Sequence, residues 1–268
     1  MTTRPEISVI MPCYNSKKYL AKSIGSILDQ TYRNFEFIII DDCSTDGSDL
    51  IIKEFQKKDN RIVYLKNEKN LGVALSLNAG IKISSGKYIA RMDADDISLD
   101  SRLEKQYEFM ESKQDCIVCG TNINLIDQND SIIGSRYYYE SDEKIKRKIL
   151  NMSPFAHPTV IIRKEVLITN EIYYSDKYPR AEDYYLWLRL VPYGSFNNLN
   201  QKMFNYRISE SSIKSLYLKQ TLKDTISLKI KHIKYGDMNS YLILFLEILL
   251  YMFPKKVVMR LYKFKYRK

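Results

Sequence analysis

Short apolar runs alternate with helix-length amphipathic segments through the first part of the chain. Residues 7–11 (ISVIM) and 35–40 (FEFIII) are rich in β-branched side chains, a pattern typical of parallel strands that are covered on both faces. Between them, residues 16–30 carry apolar side chains at helical spacing, from Leu20 to Leu28, which predicts an amphipathic helix. The three segments together form a predicted βαβ unit.

The same alternation continues along the chain and predicts an open α/β sheet flanked by helices. Further predicted elements are helices over residues 48–57, 74–83 and 182–190 and one that begins after Asp100, strands over residues 62–65, 88–92, 117–119 and 159–162, and a polar turn at residues 127–130. Residues expected to cap helices are Asn15 or Ser16, and Asp100; Ser44 or Thr45 would be a cap in the alternative interpretation of residues 41–47. In such sheets ligands bind beyond the carboxyl ends of the strands.

The chain has 268 residues, 45% of them hydrophobic, which suffices for one substantial core with an appended subdomain rather than two independent domains. We divide it into residues 1–119, which hold the regular alternation, residues 120–208, and a C-terminal region of residues 209–268. No charged leader with an apolar core opens the sequence, so we expect a cytoplasmic protein.

The net charge of +10 is concentrated at the C-terminal end of the chain. Residues 201–268 contain 15 Lys and Arg against 4 Asp and Glu. The net charge of this segment is therefore +11. Because the net charge of the whole chain is +10, the first 200 residues have a net charge of −1. A nearly neutral main body argues against a nucleic-acid-binding protein and confines the basic character to the tail.

That tail combines an apolar stretch with a basic one. Residues 241–253 are apolar except for Glu247, but these 13 residues fall short of the roughly 20 that span a bilayer. Residues 254–268 contain seven Lys and Arg and no acid, interleaved with apolar side chains. The pattern predicts a helix at an anionic inner-membrane surface. The alternative is a C-terminal helix that packs on the main body.

Two of the four cysteines form a C-x-x-C pair at Cys116 and Cys119. A zinc or redox site of this kind would be expected to have a second pair of ligands. Since the sequence offers none nearby, we expect two buried small residues with reduced thiols.

Polar clusters follow three of the predicted strands. In the first, Pro12-Cys13-Tyr14-Asn15, a proline ends the strand and leaves an aromatic ring at the sheet edge, where it can stack on a flat base. The second, residues 41–47 (DDCSTDG), opens with the adjacent carboxylates of Asp41 and Asp42. These repel each other unless donors such as a base N–H or a ribose hydroxyl approach them. Both loops could also be simple strand-to-helix turns.

The third cluster, residues 91–96 (RMDADD), contains Asp93, Asp95 and Asp96 after an apolar strand. Carboxylates spaced D-x-D at a strand end point toward one side and can grip a hard divalent cation, which keeps its other positions for water and phosphate oxygens. Three acids in four residues are difficult to explain as a solvated surface. This loop is therefore the candidate metal site.

Four motifs in the first hundred residues arrive in one order: SVIMPCYN (residues 8–15), IIIDDCSTDG (38–47), NLGVALSLNAGI (70–81) and GKYIARMDADD (86–96). In order and spacing they resemble the inverting family 2 glycosyltransferases with the GT-A fold, of the type found in bacterial polysaccharide synthesis. The resemblance implies a Rossmann-like, mostly parallel sheet with an acceptor-side subdomain. Residues 1–119 would then bind the nucleotide sugar, residues 120–208 would hold the acceptor side and the catalytic base, and residues 209–268 would be helical and membrane-associated.

Later segments match the same family. Residues 155–159 (FAHPT) are similar to a segment of its polysaccharide members, and Glu182-Asp183 is similar to its acidic pair on the acceptor side. Tyr206-Arg207, followed by Ser211-Ser212, resembles its closing motif, although Ser209 stands where the family has a histidine.

The resemblance implies transfer of a sugar from a nucleoside diphosphate sugar, UDP-linked by default, to a glycan or lipid-linked acceptor of bacterial surface polysaccharide synthesis. Asp42 would accept a hydrogen bond from the base, with Pro12 and Tyr14 as walls. Asp93 would reach the ribose or the metal shell, and Asp95 would ligate Mg²⁺ or Mn²⁺.

Asp183 would be the general base that takes the proton of the acceptor hydroxyl, although a carboxylate at a helix start is also favoured by the helix dipole alone. Asp41 and Glu182 are secondary candidates. His157 could contact a phosphate or the metal, or lie in a proline-flanked turn, and Arg207 could contact a phosphate or the acceptor. We expect Trp187, with Tyr184 and Tyr185, to belong to the core rather than to a sugar platform.

Two other functions remain open from the sequence. A nucleotidyltransferase also uses an α/β sheet with paired carboxylates, but it normally begins with a glycine-rich, cationic loop, which residues 12–15 lack. A non-catalytic adaptor for membranes or nucleic acid would use the basic tail, and it would leave the acidic clusters unexplained.

Overall fold

The described part of the chain, residues 4–208, 218–254 and 258 of the computed structural model, is built on one nine-stranded sheet flanked by helices. The strands are β1 (Ile7–Cys13), β2 (Phe35–Asp41), β3 (Ile62–Lys66), β4 (Tyr88–Arg91), β5 (Ile97–Ser98), β6 (Cys116–Ile126), β7 (Ile132–Arg136), β8 (Ile161–Arg163) and β9 (Ser195–Arg207). The helices are α1 (Lys17–Leu28), α2 (Ser48–Lys58), α3 (Val73–Ile83), α4 (Arg102–Ser112), α5 (Asp142–Lys148), α6 (Lys164–Thr169), α7 (Glu182–Leu190), α8 (Leu218–Lys231) and α9 (Met238–Met252).

The strand order is β3-β2-β1-β4-β8-β6-β9-β5, with β7 paired to β6. The first four strands are parallel to one another, and α1 buries Leu20, Ile24 and Ile27 as its periodicity predicts. Because parallel strands run the same way, the loops after β1, β2 and β4 leave the same edge of the sheet. The predicted α/β sheet flanked by helices is confirmed.

The other half of the sheet is mixed. β8 is antiparallel to both β4 and β6, whereas β6 and β9 pair in parallel along most of their length. The division predicted after residue 119 falls inside β6, so the first two regions share one sheet. The short β5 pairs with the end of β9 and thereby carries the acidic residues just before it to the end of that strand.

Pro12 does not end β1, contrary to the prediction. It is buried, lies opposite Ile40 in β2, and is followed by one more residue of the strand, Cys13. A proline removes a single ladder donor, and the remaining pairing with β2 on one side and β4 on the other holds the strand in place.

The predicted helix caps are also wrong for the first helices. Neither α1 nor α2 has a hydrogen bond from the side chain at its N-cap position, and α4 begins after Ser101 rather than at Asp100. Instead, the carboxylate of Asp46 accepts hydrogen bonds from the backbone N–H groups of Lys17 (2.9 Å) and Ser48 (3.0 Å). One anion thus serves the positive ends of α1 and α2 together.

The aromatic residues of α7 lie in the core, as predicted. Trp187 is fully buried and packs edge-to-face on Phe155, with ring centroids 5.2 Å apart. Tyr184 is buried as well, and its hydroxyl donates to the carbonyl of Ile149 (2.8 Å). Cys116 and Cys119 are buried in β6 as free thiols, and burial raises the pKa of Cys116 to about 12. This environment agrees with a packing role for both cysteines.

The two C-terminal helices of the described chain pack on each other and are joined by an ion pair between the buried Lys229 of α8 and the partly buried Glu247 of α9 (2.7 Å). The carboxylate of Asp237 caps α9 by accepting from the backbone of Ser240 (2.9 Å), and it also pairs with Lys148 of α5 (3.0 Å). Within the described ranges, every helix is too short or too polar to cross a bilayer. The basic residues from 255 onward, and Ser209, Ser211 and Ser212, lie outside the described residues.

Candidate active site

A cleft of about 570 Å³ opens where the loop after β4 meets the ends of β9 and α7. The sequence-predicted residues that line it are Asp93, Asp95, His157, Glu182, Asp183 and Arg207. Pro12, Tyr14, Asp41 and Asp42 are not among its lining residues, although Val73 at the start of α3 is. The structure therefore brings the candidate metal ligands, the candidate base and the closing arginine to one cavity.

Three carboxylates converge at the end of β4. Oxygens of Asp93, Asp95 and Asp96 all lie within 4.8 Å of one another. Asp93 is paired with Arg91, whose Nη1 is 2.5 Å from its Oδ1. Asp96 is buried; its Oδ1 accepts a hydrogen bond from the backbone N–H of Arg207 (2.7 Å), and its Oδ2 has no partner among the described residues.

The electrostatics of this cluster favour a bound cation. Burial and the nearby Asp93 raise the pKa of Asp95 from 3.8 to about 6. Burial, Asp93 and Asp95 raise the pKa of Asp96 well above its usual range. The carboxylates of the cluster therefore repel one another. Carboxylate oxygens are the ligands that Mg²⁺ and Mn²⁺ prefer. The cluster and the unpartnered oxygen of Asp96 therefore fit a divalent ion.

Arg207, at the end of β9, holds the acidic loop from behind. Besides its backbone bond to Asp96, its Nε donates to the carbonyl of Asp95 (2.7 Å) and its Nη1 to the carbonyl of Asp127 (2.8 Å). Its guanidinium also stacks 4.0 Å from the ring centroid of Tyr19 in α1. Most of its donors are thus used inside the protein, in the positioning of the residues that could ligate the metal.

The carboxylate of Asp42 organises a neighbouring loop. Its Oδ1 accepts hydrogen bonds from the side chain of Asn67 (2.7 Å) and the backbone of Leu71 (2.8 Å), and its Oδ2 accepts from the backbone of Gly72 (2.8 Å). Gly72 has a φ of 83°, in the left-handed region that glycine adopts without strain. Since Gly72 precedes the cleft residue Val73, Asp42 fixes the wall beside the cavity.

Asp41 is fully buried and also has protein partners. Its Oδ1 accepts from the backbone of Ser44 (2.9 Å), and its Oδ2 accepts from the hydroxyl of Tyr64 (3.2 Å). Lys66 approaches the same oxygen to 3.8 Å. These donors and the lysine offset the repulsion expected between the adjacent carboxylates of Asp41 and Asp42. Asp41 has no access to solvent.

The loops after β1 and β2 are tied together by side chains. The Oδ1 of Asn15 accepts from the backbone of Thr45 (2.8 Å), and the Oγ of Ser44 accepts from the backbone of Asn15 (3.0 Å). Tyr14 is 51% exposed, whereas Pro12 is buried. Of the two predicted walls for a base, only Tyr14 presents its ring to solvent.

Glu182 and Asp183 form the first turn of α7 and line the cleft together with the acidic loop. The periodicity of the apolar residues that follow fixes this orientation, because Leu186, Trp187 and Leu190 are buried in the core. The helix start therefore presents carboxylates to the cavity.

His157 lies in a short 3₁₀ turn at the cleft wall. One of its ring nitrogens is 2.9 Å from the hydroxyl of Tyr174, and its ring contacts Trp187 at a centroid distance of 6.0 Å. His157 thus lies in a proline-flanked turn and also lines the cavity.

Several cleft residues were not predicted from the sequence. Arg136 and Tyr138 enter from β7 and the segment after it, and Arg180 from the segment before α7. They lie in stretches without a strong apolar period, so their sequence gives little indication of a shared site. Asp96 was noted as part of the acidic run, but its inclusion in the cluster depends on the pairing of β5 with β9.

Known proteins match this chain over most of its length. The sequence model described as Glycosyl transferase family 2 matches residues 8–182. An uncharacterized glycosyltransferase of Methanocaldococcus jannaschii is 35% identical over 93% of this chain and 89% of its own. The O-antigen biosynthesis glycosyltransferase WbnJ of Escherichia coli is 38% identical over 77% and 81%. The UDP-Glc:alpha-D-GlcNAc-diphosphoundecaprenol beta-1,3-glucosyltransferase WfgD of Escherichia coli is 34% identical over 80% and 81%.

Two solved structures share the fold. S. aureus TarS in complex with UDP-GlcNAc matches with a TM-score of 0.71 at 22% identity, over 89% of this chain and 70% of that chain. The mannosyltransferase PcManGT from Pyrobaculum calidifontis, in complex with GDP-Man and Mn²⁺, matches with a TM-score of 0.68 at 13% identity, over 97% and 73%. The predicted GT-A fold is confirmed by these likenesses.

Proposed function

This chain belongs to glycosyl transferase family 2, and on that basis we propose that it transfers a hexose or N-acetylhexosamine from a nucleoside diphosphate sugar to an acceptor hydroxyl. Transfer inverts the anomeric configuration and depends on Mg²⁺ or Mn²⁺. The acceptor is a glycan or a lipid-linked intermediate of bacterial surface polysaccharide synthesis.

One observation carries the proposal: the acidic cluster after β4 and the carboxylate of Asp183 line the same cleft. A donor sugar bound between them would have its diphosphate near the cluster and its anomeric carbon toward α7. The cavity of about 570 Å³ lies within the range of pockets that take small ligands.

Asp93, Asp95 and Asp96 are the residues that would hold the cation. When bound, a divalent ion stabilises the negative charge that develops on the departing diphosphate. Arg207 would keep this loop in place through its contacts with Asp95 and Asp96.

Asp183 is the proposed general base. As the acceptor oxygen attacks the anomeric carbon, a new C–O bond forms and the bond to the diphosphate breaks. The electron pair of the broken bond leaves with the nucleoside diphosphate, and the acceptor proton passes to Asp183. Attack from the face opposite the diphosphate inverts the anomeric carbon.

On the donor side, we place the base between Tyr14 and the loop held by Asp42. The carboxylate of Asp42 already accepts three protein hydrogen bonds, and a carboxylate has about four acceptor positions. One position on Oδ2 therefore remains for a base N–H. UDP is the first donor to test, because the relative WfgD is named for UDP-Glc and TarS was solved with UDP-GlcNAc.

The same proposal places the enzyme at the cytoplasmic face of the membrane. The relative WfgD is named for a diphosphoundecaprenol-linked acceptor, and the basic residues of 255–268 would attract anionic lipids by about 1 kcal/mol each when close to the surface. That contribution is electrostatic and should weaken with added salt.

The test is a panel of nucleotide sugars screened for release of nucleoside diphosphate with and without Mn²⁺. We expect release from one sugar class to require the metal; metal-independent release, or release of pyrophosphate, would contradict the proposal. For the base, Asp183→Asn should lower transfer by about 10²-fold or more while the affinity for the donor changes little. Asp176→Asn, at an exposed position before α7, is the matched control.

A further inference from the structure

The outward face of α9 is apolar. Nine of its side chains are large, hydrophobic and exposed, and the six most exposed are Met238 (80%), Tyr241 (42%), Leu242 (57%), Phe245 (56%), Leu246 (53%) and Met252 (75%). At 3.6 residues per turn these positions cover an arc of about 140°. We call these six residues the apolar arc. Single exposed hydrophobic residues are ordinary in proteins, but a continuous patch of this kind marks an interaction surface.

The amphipathicity of α9 is inverted relative to a helix that packs on a core. Two of its polar side chains point inward, whereas Asn239 is exposed: Ser240 is buried, and Glu247 forms the ion pair with the buried Lys229 of α8. A surface helix of a water-exposed protein has the opposite arrangement, with its apolar stripe facing the core and its charges facing solvent. The outward face of α9 is therefore built for an apolar environment.

The charge next to α9 identifies that environment. Residues 255–268, directly beyond α9, contain seven Lys and Arg and no acid. An apolar helix face followed by a cationic segment is complementary to a bilayer with anionic headgroups. If another helix packed on the outward face of α9, the contact would use only a narrow stripe of apolar residues. The apolar arc is wider than such a stripe.

We propose that α9 docks on the membrane, lying in the plane of the interface with its apolar arc in the acyl region. This deepens the proposed association with the membrane, which so far rested on electrostatic attraction by residues 255–268, because it adds a hydrophobic contribution from a described helix. The hydrophobic contribution grows with the apolar area of the arc that is removed from water, and it is not screened by salt.

The position of α8 links this docking surface to the cleft. Thr221, near the start of α8, lines the cavity, and Leu228 packs into the hydrophobic core. Lys231 at the other end of α8 donates to the hydroxyl of Tyr178 (2.7 Å), in the segment that leads to the cleft residue Arg180. A helix of 14 residues is about 21 Å long. Docking of α9 thus holds the cleft within a short distance of the membrane, where the head of a lipid-linked acceptor would lie.

The experiment is sedimentation of the full chain with vesicles of phosphatidylcholine alone or with about 30% phosphatidylglycerol, at low salt and at about 0.5 M salt, where surface electrostatics is largely screened. The double variant Leu242→Glu/Phe245→Glu places two charges in the apolar arc. The matched control is Leu50→Glu/Ile132→Glu, at equally exposed positions (66% and 64%) on α2 and β7.

We expect the wild type and the control to keep a large part of their binding at high salt, and the Leu242→Glu/Phe245→Glu variant to bind at least about tenfold more weakly at both salt concentrations. Equal binding of that variant and the wild type would overturn the proposal. Loss of all wild-type binding at high salt would leave only the electrostatic contact and would also overturn it.

Two further measurements separate the other occupants and the other proposal. A wild-type dimer in sedimentation equilibrium that the Leu242→Glu/Phe245→Glu variant abolishes, without vesicle binding, would assign the arc to a second copy. If the wild type is a monomer and does not bind vesicles, the docking proposal is overturned, and the apolar arc would be covered by another part of this chain. Metal-dependent release of nucleoside diphosphate in solution should be the same in the wild type and the variant. If the wild type shows no such release but still binds vesicles through the arc, the proposed function is rejected and the docking proposal is not.

Discussion

Two acidic loops leave the same edge of the sheet, after β2 and after β4, and they look alike in the sequence. In the structure they differ in how their carboxylates are used. In residues 41–47, protein donors surround the acids, as in the three hydrogen bonds to Asp42. In residues 93–96, the carboxylates face one another instead, the pKa of Asp95 rises to about 6, and one oxygen of Asp96 has no partner among the described residues.

The difference shows what separates a structural acid from a ligand-binding one. In loop 41–47, protein N–H groups fill three of the roughly four acceptor positions of Asp42, so the protein itself holds this loop in place. In loop 93–96 the carboxylates repel one another, since the nearest counter-charge, Arg91, is already paired with Asp93 and Arg207 donates to the backbone carbonyl of Asp95; a divalent cation would balance the remaining negative charge. We expect mutations in the first loop to change stability and mutations in the second to change metal binding and transfer.

The largest effect should come from Asp95→Asn. The amide removes a charged ligand from the cluster, so transfer should fall by about 10²-fold or more and the affinity for Mn²⁺ should fall with it. The thermal midpoint of the metal-free protein should be unchanged or higher, because one of the mutually repelling carboxylates is lost. Asp115→Asn, at an exposed position before β6, is the control and should leave all three quantities unchanged. Full activity of Asp95→Asn would remove the distinction between the loops.

Asp42→Asn should have the opposite profile. An amide nitrogen cannot accept the hydrogen bond that a carboxylate oxygen accepts from Gly72 or Leu71, so a buried donor is left unsatisfied. We expect the free energy of unfolding to fall by about 2–3 kcal/mol, as measured by urea denaturation. Mn²⁺ affinity of the folded fraction should change little. A variant as stable as the wild type would show that these three hydrogen bonds do not hold the loop.

The pH dependence of metal binding sharpens the comparison further. Because the pKa of Asp95 is raised to about 6 and that of Asp96 is raised well above its usual range, protons compete with the cation. The Mn²⁺ affinity should therefore fall by about tenfold between pH 7 and pH 5. The sign for stability is the reverse: the folded metal-free protein holds these protons more tightly than the unfolded chain, so it loses stability as the pH rises through this range. Calorimetric titrations at several pH values would measure the first effect, and an affinity that does not vary with pH would contradict it.

The smallest effect should come from Tyr64→Phe. This change removes the hydroxyl that donates to the buried Asp41 (3.2 Å), and the free energy of unfolding should fall by about 1–2 kcal/mol. Transfer and Mn²⁺ affinity should stay at wild-type values. Tyr193→Phe, at an exposed tyrosine, controls for the loss of a hydroxyl as such. A loss of transfer in Tyr64→Phe larger than the loss of stability would place the first loop in catalysis.

The regular half of the fold could be predicted closely because its signal is local. The helices α1, α2, α3 and α7 begin and end within two residues of the predicted bounds, since apolar periodicity fixes which face of each is buried. The loops that carry chemistry follow from the strand ends. On this ground and by resemblance, Asp42, the metal loop and Asp183 are predicted to share one pocket; the metal loop and Asp183 line the cleft, whereas Asp42 is not among its lining residues.

The remaining features depend on contacts that are distant in sequence. β6 has 11 residues, but only three of them were predicted as strand. The prediction ended too early because the later part of β6 contains asparagines, which are uncommon in strands. These find partners about 80 residues away, as in the hydrogen bond between the side chains of Asn124 and Asn205 (2.9 Å). Likewise, the capping role of Asp46 depends on α1 and α2 lying side by side, and no pattern within residues 41–47 reveals it.

The bond between Arg207 and Asp96 joins residues that are 111 positions apart. On the ribosome, β1 to β4 emerge long before β9, since synthesis proceeds at about 5–20 residues per second. A nascent chain that ends before Ser195 thus contains Asp93, Asp95 and Asp96 but lacks β9, the strand whose last residue bonds to this cluster. Metal uptake should consequently be a late event in the biogenesis of this enzyme, and the chain should acquire activity only when its last strand closes the sheet.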